Sequence, residues 1–196
     1  MLDFYRAQFR ASNPNRCFVH VSTIMKSLNF VVTLGIALAL PSIFAAEEEK
    51  SGGATAKENS FIREAAEGGM TEVALGKIAQ SSGVREDVKK FGGQMVKDHG
   101  QANDELKAIA AKMNISVPGK VSEKHKANID KLSKMTGASF DTAYINDTVS
   151  DHQEDLSAFE KARSEVTNED LKKFIDDKVA MIRGHLEMAK KMKESK

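Results

Sequence analysis

Four stretches of this chain carry apolar residues at heptad-like spacing, and each stripe is broken once by a side chain that a hydrophobic core does not select. The first stripe runs Phe61, Ala65, Gly68, Glu72, Leu75 and Ala79. The second runs Val88, Phe91, Met95, His99, Ala102, Leu106, Ile109 and Met113. Ile145, Val149, His152, Leu156 and Phe159 form the third, and Leu171, Phe174, Met181, His185, Met188 and Met192 the fourth. Steps of three and four residues put each set on one helix face. Apolar/polar alternation rich in β-branched residues is absent. The expected class is all-α: a four-helix up-down bundle whose interior receives Glu72, His99, His152 and His185, one from each helix.

Punctuation sets the expected boundaries. Helix 1 is predicted from about Ser60 to Ser81, stopped by Ser82-Gly83, and helix 2 from about Val84 to Met113, with Glu86 and Asp87 favouring its N-terminal dipole. Pro118-Gly119 breaks the chain, and a short amphipathic helix around residues 121–135 stands between helices 2 and 3. Helix 3 follows from about Phe140 to Ser164, and Thr167 with Asp170 is a capping-box-like start for helix 4. Gly68-Gly69 inside helix 1 costs about 1 kcal/mol per glycine relative to alanine, a cost usually tolerated where a neighbouring helix comes close.

The first 59 residues lie outside this pattern. Met25-Lys26, the uncharged run Phe30 to Leu40, the break at Pro41-Ser42 and the small residues at Ala45-Ala46 make residues 25–46 a secretory signal. The run is shorter than the roughly 20 apolar residues of a membrane span, so no span is expected after processing. Residues 1–24, upstream of a complete signal, read as a misassigned extension. The polar stretch 47–59 reads as a flexible leader to one bundle domain over 60–194. The expected product is periplasmic, or otherwise exported and envelope-associated.

The sole cysteine, Cys17, precedes the mature chain, so disulfides and thiolate ligands are excluded. Loss of Arg6, Arg10, Arg16 and Lys26 against Asp3 turns the near balance of 29 basic and 28 acidic side chains slightly negative. Without a basic patch, nucleic acid is not an expected partner. No sequence feature names a protein partner. There is also no nucleophile elbow, P-loop or dinucleotide fingerprint to identify an enzyme.

Depth along the helices tests whether the four polar residues meet. At ~1.5 Å per residue, Glu72 and His99 lie roughly 16 and 24 Å from the first turn, and His152 and His185 roughly 21 and 28 Å from the second. With both turns at one end, all four fall within about two helical turns of one another. A single buried histidine is ordinarily a core residue bonded to a neighbour. Three histidines and a carboxylate, one per helix, have to satisfy each other or share an ion, because an unpartnered buried polar group costs about 1–3 kcal/mol. The set suits a divalent transition metal, Zn²⁺ first and Cu²⁺ or Fe²⁺ next. Met95 and Met181, four residues before His99 and His185, would add thioethers for Cu(I), although methionine on such a stripe is ordinarily core filling. Asp98 and Asp151 diverge from the adjacent histidines by about 100° and read as supporting or solvated carboxylates. His125, off every stripe, reads as solvated. The alternative is a non-enzymatic envelope or stress-related protein whose polar cluster only specifies packing.

Several motifs carry a resemblance: Gly68-Gly69-Met70-Thr71-Glu72, Met95-Val96-Lys97-Asp98-His99, Phe140-Asp141-Thr142-Ala143-Tyr144 leading to Asp151-His152, and Arg183-Gly184-His185-Leu186. In their order and spacing, over residues 58–192, the chain resembles the bacterial exported ferritin-like family catalogued as domain of unknown function 4142. The resemblance implies a ferritin-like four-helix fold and supplies no activity. Val96, Val149 and Ile182 stand three residues before the histidines, where di-iron ferritins need glutamate, so di-iron chemistry is not expected.

Overall fold

The computed structural model describes residues 54–195. The expected extension, the signal and residues 47–53 of the leader lie outside the described residues. The rest forms α1 (Ala56–Ser82), α2 (Glu86–Lys112), the short α3 (Glu123–Leu132), α4 (Gly137–Glu165) and α5 (Glu169–Glu194), with no strand among the described residues. No described helix is long and apolar enough to cross a membrane.

Helix starts differ from expectation by a few residues, α4 beginning at Gly137 and α2 at Glu86, and for α1 and α5 one carboxylate explains the difference. α1 begins at Ala56, within the stretch expected to be leader, because Thr55 and Glu58 form a reciprocal capping box. The Glu58 backbone N–H donates to Thr55 Oγ1 at 3.1 Å, and the Thr55 N–H donates to Glu58 Oε2 at 2.8 Å. The other oxygen, Oε1, accepts from the Thr167 N–H, the Thr167 hydroxyl and the Asn168 N–H at 2.8, 3.0 and 2.9 Å. Thr167, the expected cap of the last helix, is thus committed to Glu58. Asn168 caps α5 instead, accepting from the Leu171 N–H at 3.0 Å. At the other end Asp141 of α4 accepts from the Val84 and Arg85 N–H groups, the latter at 2.9 Å, so the α1–α2 turn is also held by a buried acid.

Side-chain pairs give the helix directions. Gly76 of α1 lies against Gly92 of α2, and Gly69 against Asn103, so these helices run antiparallel. Glu160–Arg183 and Arg163–Asp176 fix α4 antiparallel to α5. Phe61–Phe159 and Glu72–His152 make α1 antiparallel to α4, while Asp98–His185 and Lys112–Asp170 make α2 antiparallel to α5. It follows that α2 and α4 run the same way, joined by a connection that carries α3 along the assembly. The α1–α2 turn meets the start of α4, and the α4–α5 turn meets the start of α1. The two turns therefore sit at opposite ends, not at one end, and consecutive long helices do not simply alternate in direction. The four polar residues still share one layer, because each lies near the middle of its helix.

The glycines behave differently from expectation too. A Cβ on Gly68 would meet nothing within 4 Å, whereas one on Gly76 would meet the Gly92 carbonyl oxygen at 2.7 Å. The close approach of α1 and α2 is made by Gly76 and Gly92. Gly69 alone of the expected pair is crowded, by the Asn103 amide.

The apolar core is divided. One cluster is centred on Phe61, Leu106, Phe159 and Phe174, and the other on Leu75, Phe91, Met95 and Tyr144. Glu72, His99, His152 and His185 occupy the sequence interval between the clusters on all four long helices. A polar layer thus separates two greasy halves.

Candidate metal centre

Each of the four side chains is at most 5% exposed, so none can be solvated in place. Three of them meet. The ring centroids of His99, His152 and His185 form a nearly equilateral triangle with sides of 5.6, 5.3 and 5.6 Å. One ring nitrogen from each lies within 4.8 Å of the other two. A metal at ~2.0–2.1 Å from three nitrogens would draw them to roughly 3.3–3.6 Å apart. That closure is about 1 Å, within reach of small side-chain rotations.

Unpartnered atoms sit where such a ligand would be served. His99 Nε2, both ring nitrogens of His152, and His185 Nδ1 are buried without a hydrogen-bond partner. Leaving them so costs about 1–3 kcal/mol each. His185 Nε2, by contrast, is 2.9 Å from Asp98 Oδ2. A carboxylate can only accept, so Nε2 carries the proton of this hydrogen bond. Asp98 precedes His99 on α2, and its rotation around the helix axis aims it at α5. It fixes the tautomer of His185, as carboxylates behind metal-ligating histidines commonly do.

Glu72 stands outside the triangle. Its Oε1 is 3.6 Å from His152 Nδ1, too far for a hydrogen bond, and neither carboxylate oxygen has a partner. The sequence expectation of four residues around one point is met by three, with Glu72 behind His152. Depth along a helix fixes the layer but not the direction around the axis, and Glu72 faces α4 rather than the centre. His125, expected to be solvated, is half-buried on α3 and does not join the group.

Burial sets the protonation states. It holds His99 well below the ordinary imidazole value, helped by the adjoining His152 and His185, and lowers His152 to about 3. Burial first, then Asp151, raises the Glu72 carboxyl well above the usual range. Burial thus favours the neutral imidazole of His99 and His152, the form that ligates a metal, and the neutral carboxyl of Glu72. The half-buried Asp155 is raised to about 7, by desolvation first and then by Asp151 and Glu154. Asn103, Asp155 and Lys178, which line a cavity beside His99, were not singled out by the sequence because no periodic pattern marks them.

Comparison with known proteins gives the fold neighbours and the family. No curated protein matches the chain. A crystal structure of a DUF305 fragment from Deinococcus radiodurans superposes with a TM-score of 0.66 at 11% identity, covering 73% of this chain and 99% of that one. CopM in a Cu(II)-bound form gives 0.61, and in a silver-bound form 0.59, each at 16% identity over 70% of this chain and 95% of CopM. At these identities the likeness is one of fold. Residues 44–192 match the model of the domain of unknown function DUF4142, and the chain belongs to that family.

Proposed function

We propose that this protein is an exported, ferritin-like four-helix bundle that binds one transition-metal ion through His99, His152 and His185. The observation that carries this reading is the trio of buried imidazoles, each with an unpartnered nitrogen, whose ring nitrogens lie within 4.8 Å of one another. Glu72 acts from behind His152 and Asp98 from behind His185. Copper is the leading ion, ahead of the zinc that the ligand types alone suggest. Imidazole sites hold Cu²⁺ more tightly than other divalent first-row metals, and the Cu(II)- and silver-bound forms of CopM, a protein of similar fold, add support. Binding and buffering of the ion, without turnover, is the activity assigned. Export rests on the signal-like residues 25–46, with cleavage after Ala45 or Ala46 and a periplasmic product.

The test is calorimetric titration of the metal-free, untagged domain with Cu²⁺ and with Zn²⁺. One equivalent of copper should bind to the wild type and to His125→Ala, but not to His152→Ala. The second reading, a metal-free polar layer that specifies helix packing, is favoured by the Asp98–His185 pair and the proximity of Glu72 to His152. It stands if neither ion distinguishes wild type from His152→Ala.

A further inference from the structure

Glu72, which the triangle leaves out, is a buried carboxyl with no donor to satisfy it. It is 1% exposed, and neither of its oxygens has a hydrogen-bond partner. Its Oε1 is 3.6 Å from Nδ1 of His152, which is unpartnered as well. After burial, the charges that bear on the Glu72 carboxyl are acidic: Asp151, then Asp155, then Asp147. These three follow one another at four-residue steps along one face of α4, and each is half-buried. Asp147 accepts from Asn128 of α3 at 2.9 Å and is committed there. Among the described residues no Lys or Arg forms an ion pair with Glu72, Asp151 or Asp155. Burial therefore deepens from Asp151 and Asp155 to Glu72 and then to His152, with oxygen ligands along the way.

An ion bound for the triangle has to shed its water, because all three imidazoles are at most 5% exposed. Carboxylate oxygens that replace that water offset the cost, and a seam lined by one sign of charge draws the opposite sign in. Metal bonds of ~2.0–2.2 Å to a carboxylate oxygen and ~2.0–2.1 Å to an imidazole nitrogen let one ion touch Glu72 Oε1 and His152 Nδ1 together across their 3.6 Å separation. We propose that Asp151, Asp155 and Glu72 form an entry relay in the α1–α4 seam, which captures a divalent cation at the two half-buried acids and delivers it through Glu72 to His152. This rests on the metal reading above and deepens it by naming the site through which the ion passes. Among the described residues only the three histidines converge closely enough to hold an ion at rest, so the acids pass the cation on. The competing route is Asp98, 23% exposed between α2 and α5, but it is a single acid already bonded to His185.

Cu²⁺ alone is the probe. The untagged, processed protein is first loaded to saturation, and about one copper per chain is expected in wild type and in the double variant Asp151→Asn/Asp155→Asn. Stopped-flow mixing of the metal-free proteins with Cu²⁺ then reads the association rate from quenching of Tyr144, the only tyrosine among the described residues. The double variant should take up Cu²⁺ at least tenfold more slowly, with a weaker dependence of the rate on salt. Glu72→Gln, which leaves the two aspartates in place, should also slow uptake. Asp104→Asn loses the same charge from a side chain 83% exposed on α2, and its rate should stay within about twofold of wild type. Should the double variant lose its helical signal, Asp151→Asn is read instead, with a several-fold slowing. Uptake as fast in the aspartate variants as in wild type overturns the relay and leaves the metal reading standing. Equal slowing in Asp104→Asn reduces the effect to net charge and overturns it too, and slowing confined to Asp98→Asn moves the entry to the α2–α5 side. Absence of copper from wild type at the first step overturns both readings, and the stoichiometry keeps that failure separate.

Discussion

Glu58→Gln tests how the ends of the helix assembly are held. Glu58 is 2% exposed, and its two oxygens accept from Thr55, Thr167 and Asn168. Burial opposes the charge, but these donors outweigh it and bring the carboxyl from 4.5 down to about 2. That fall is worth about 3 kcal/mol of folding stability. The folded value is the depressed one, so the contribution is complete above the unfolded value of 4.5 and is lost as pH falls through about 2. A Gln cannot carry the charge, and its amide meets the Thr55 N–H donor to donor. Urea unfolding of the metal-free domain should therefore place Glu58→Gln about 3 kcal/mol below wild type at pH 7, and only about 1.5 kcal/mol below at pH 3. Because every other group titrates alike in both proteins, the difference isolates Glu58. A gap that does not change with pH, or one under about 1 kcal/mol at pH 7, would refute the reasoning.

Three further outcomes follow from the packing and the polar layer. Gly92→Ala should cost about 1–3 kcal/mol, because its methyl would meet Ala79 Cβ and the Gly76 carbonyl oxygen, each at 2.7 Å. Gly184→Ala, with nothing within 4 Å, should instead gain about 1 kcal/mol from helix propensity; thermal denaturation reads both, and the same sign for the two would contradict the interface. Glu72→Gln should raise the stability of the metal-free domain at pH 7, since the buried carboxyl has to take up a proton on folding. That gain should shrink as pH falls toward 4.5, where the unfolded chain is protonated as well. Mass spectrometry of the processed protein should find an N-terminus at Ala46 or Glu47, and a product retaining Phe30 to Leu40 would remove export.

The sequence made the polar layer legible because burial on a helix repeats every three to four residues. His99, His152 and His185 occupy positions on stripes whose Met95, Ile145 and Phe174 are all buried. What it could not reveal lies perpendicular to that repeat. The direction of Glu72 around α1 depends on how α4 packs, and the placement of the turns depends on the path of the α3 connection, which its own short amphipathic pattern does not specify. The roles of Glu58 and Asp141 depend on contacts across 109 and 57 residues of chain, beyond any local pattern. The Thr55-to-Glu58 capping box was the exception: its spacing was visible, but the surrounding polar leader masked it. The cavity beside His99 is a void, and a void leaves no trace in residue types beyond the two adjacent glycines.

The most direct test of the central claim is the copper content of the untagged, processed protein after loading and exhaustive dialysis, measured by elemental analysis beside His152→Ala. The account predicts about one copper per wild-type chain, held by the three converging imidazoles, and close to none in the variant, with helical content equal in both. Equal copper in the two proteins, or none in either, would contradict the metal centre.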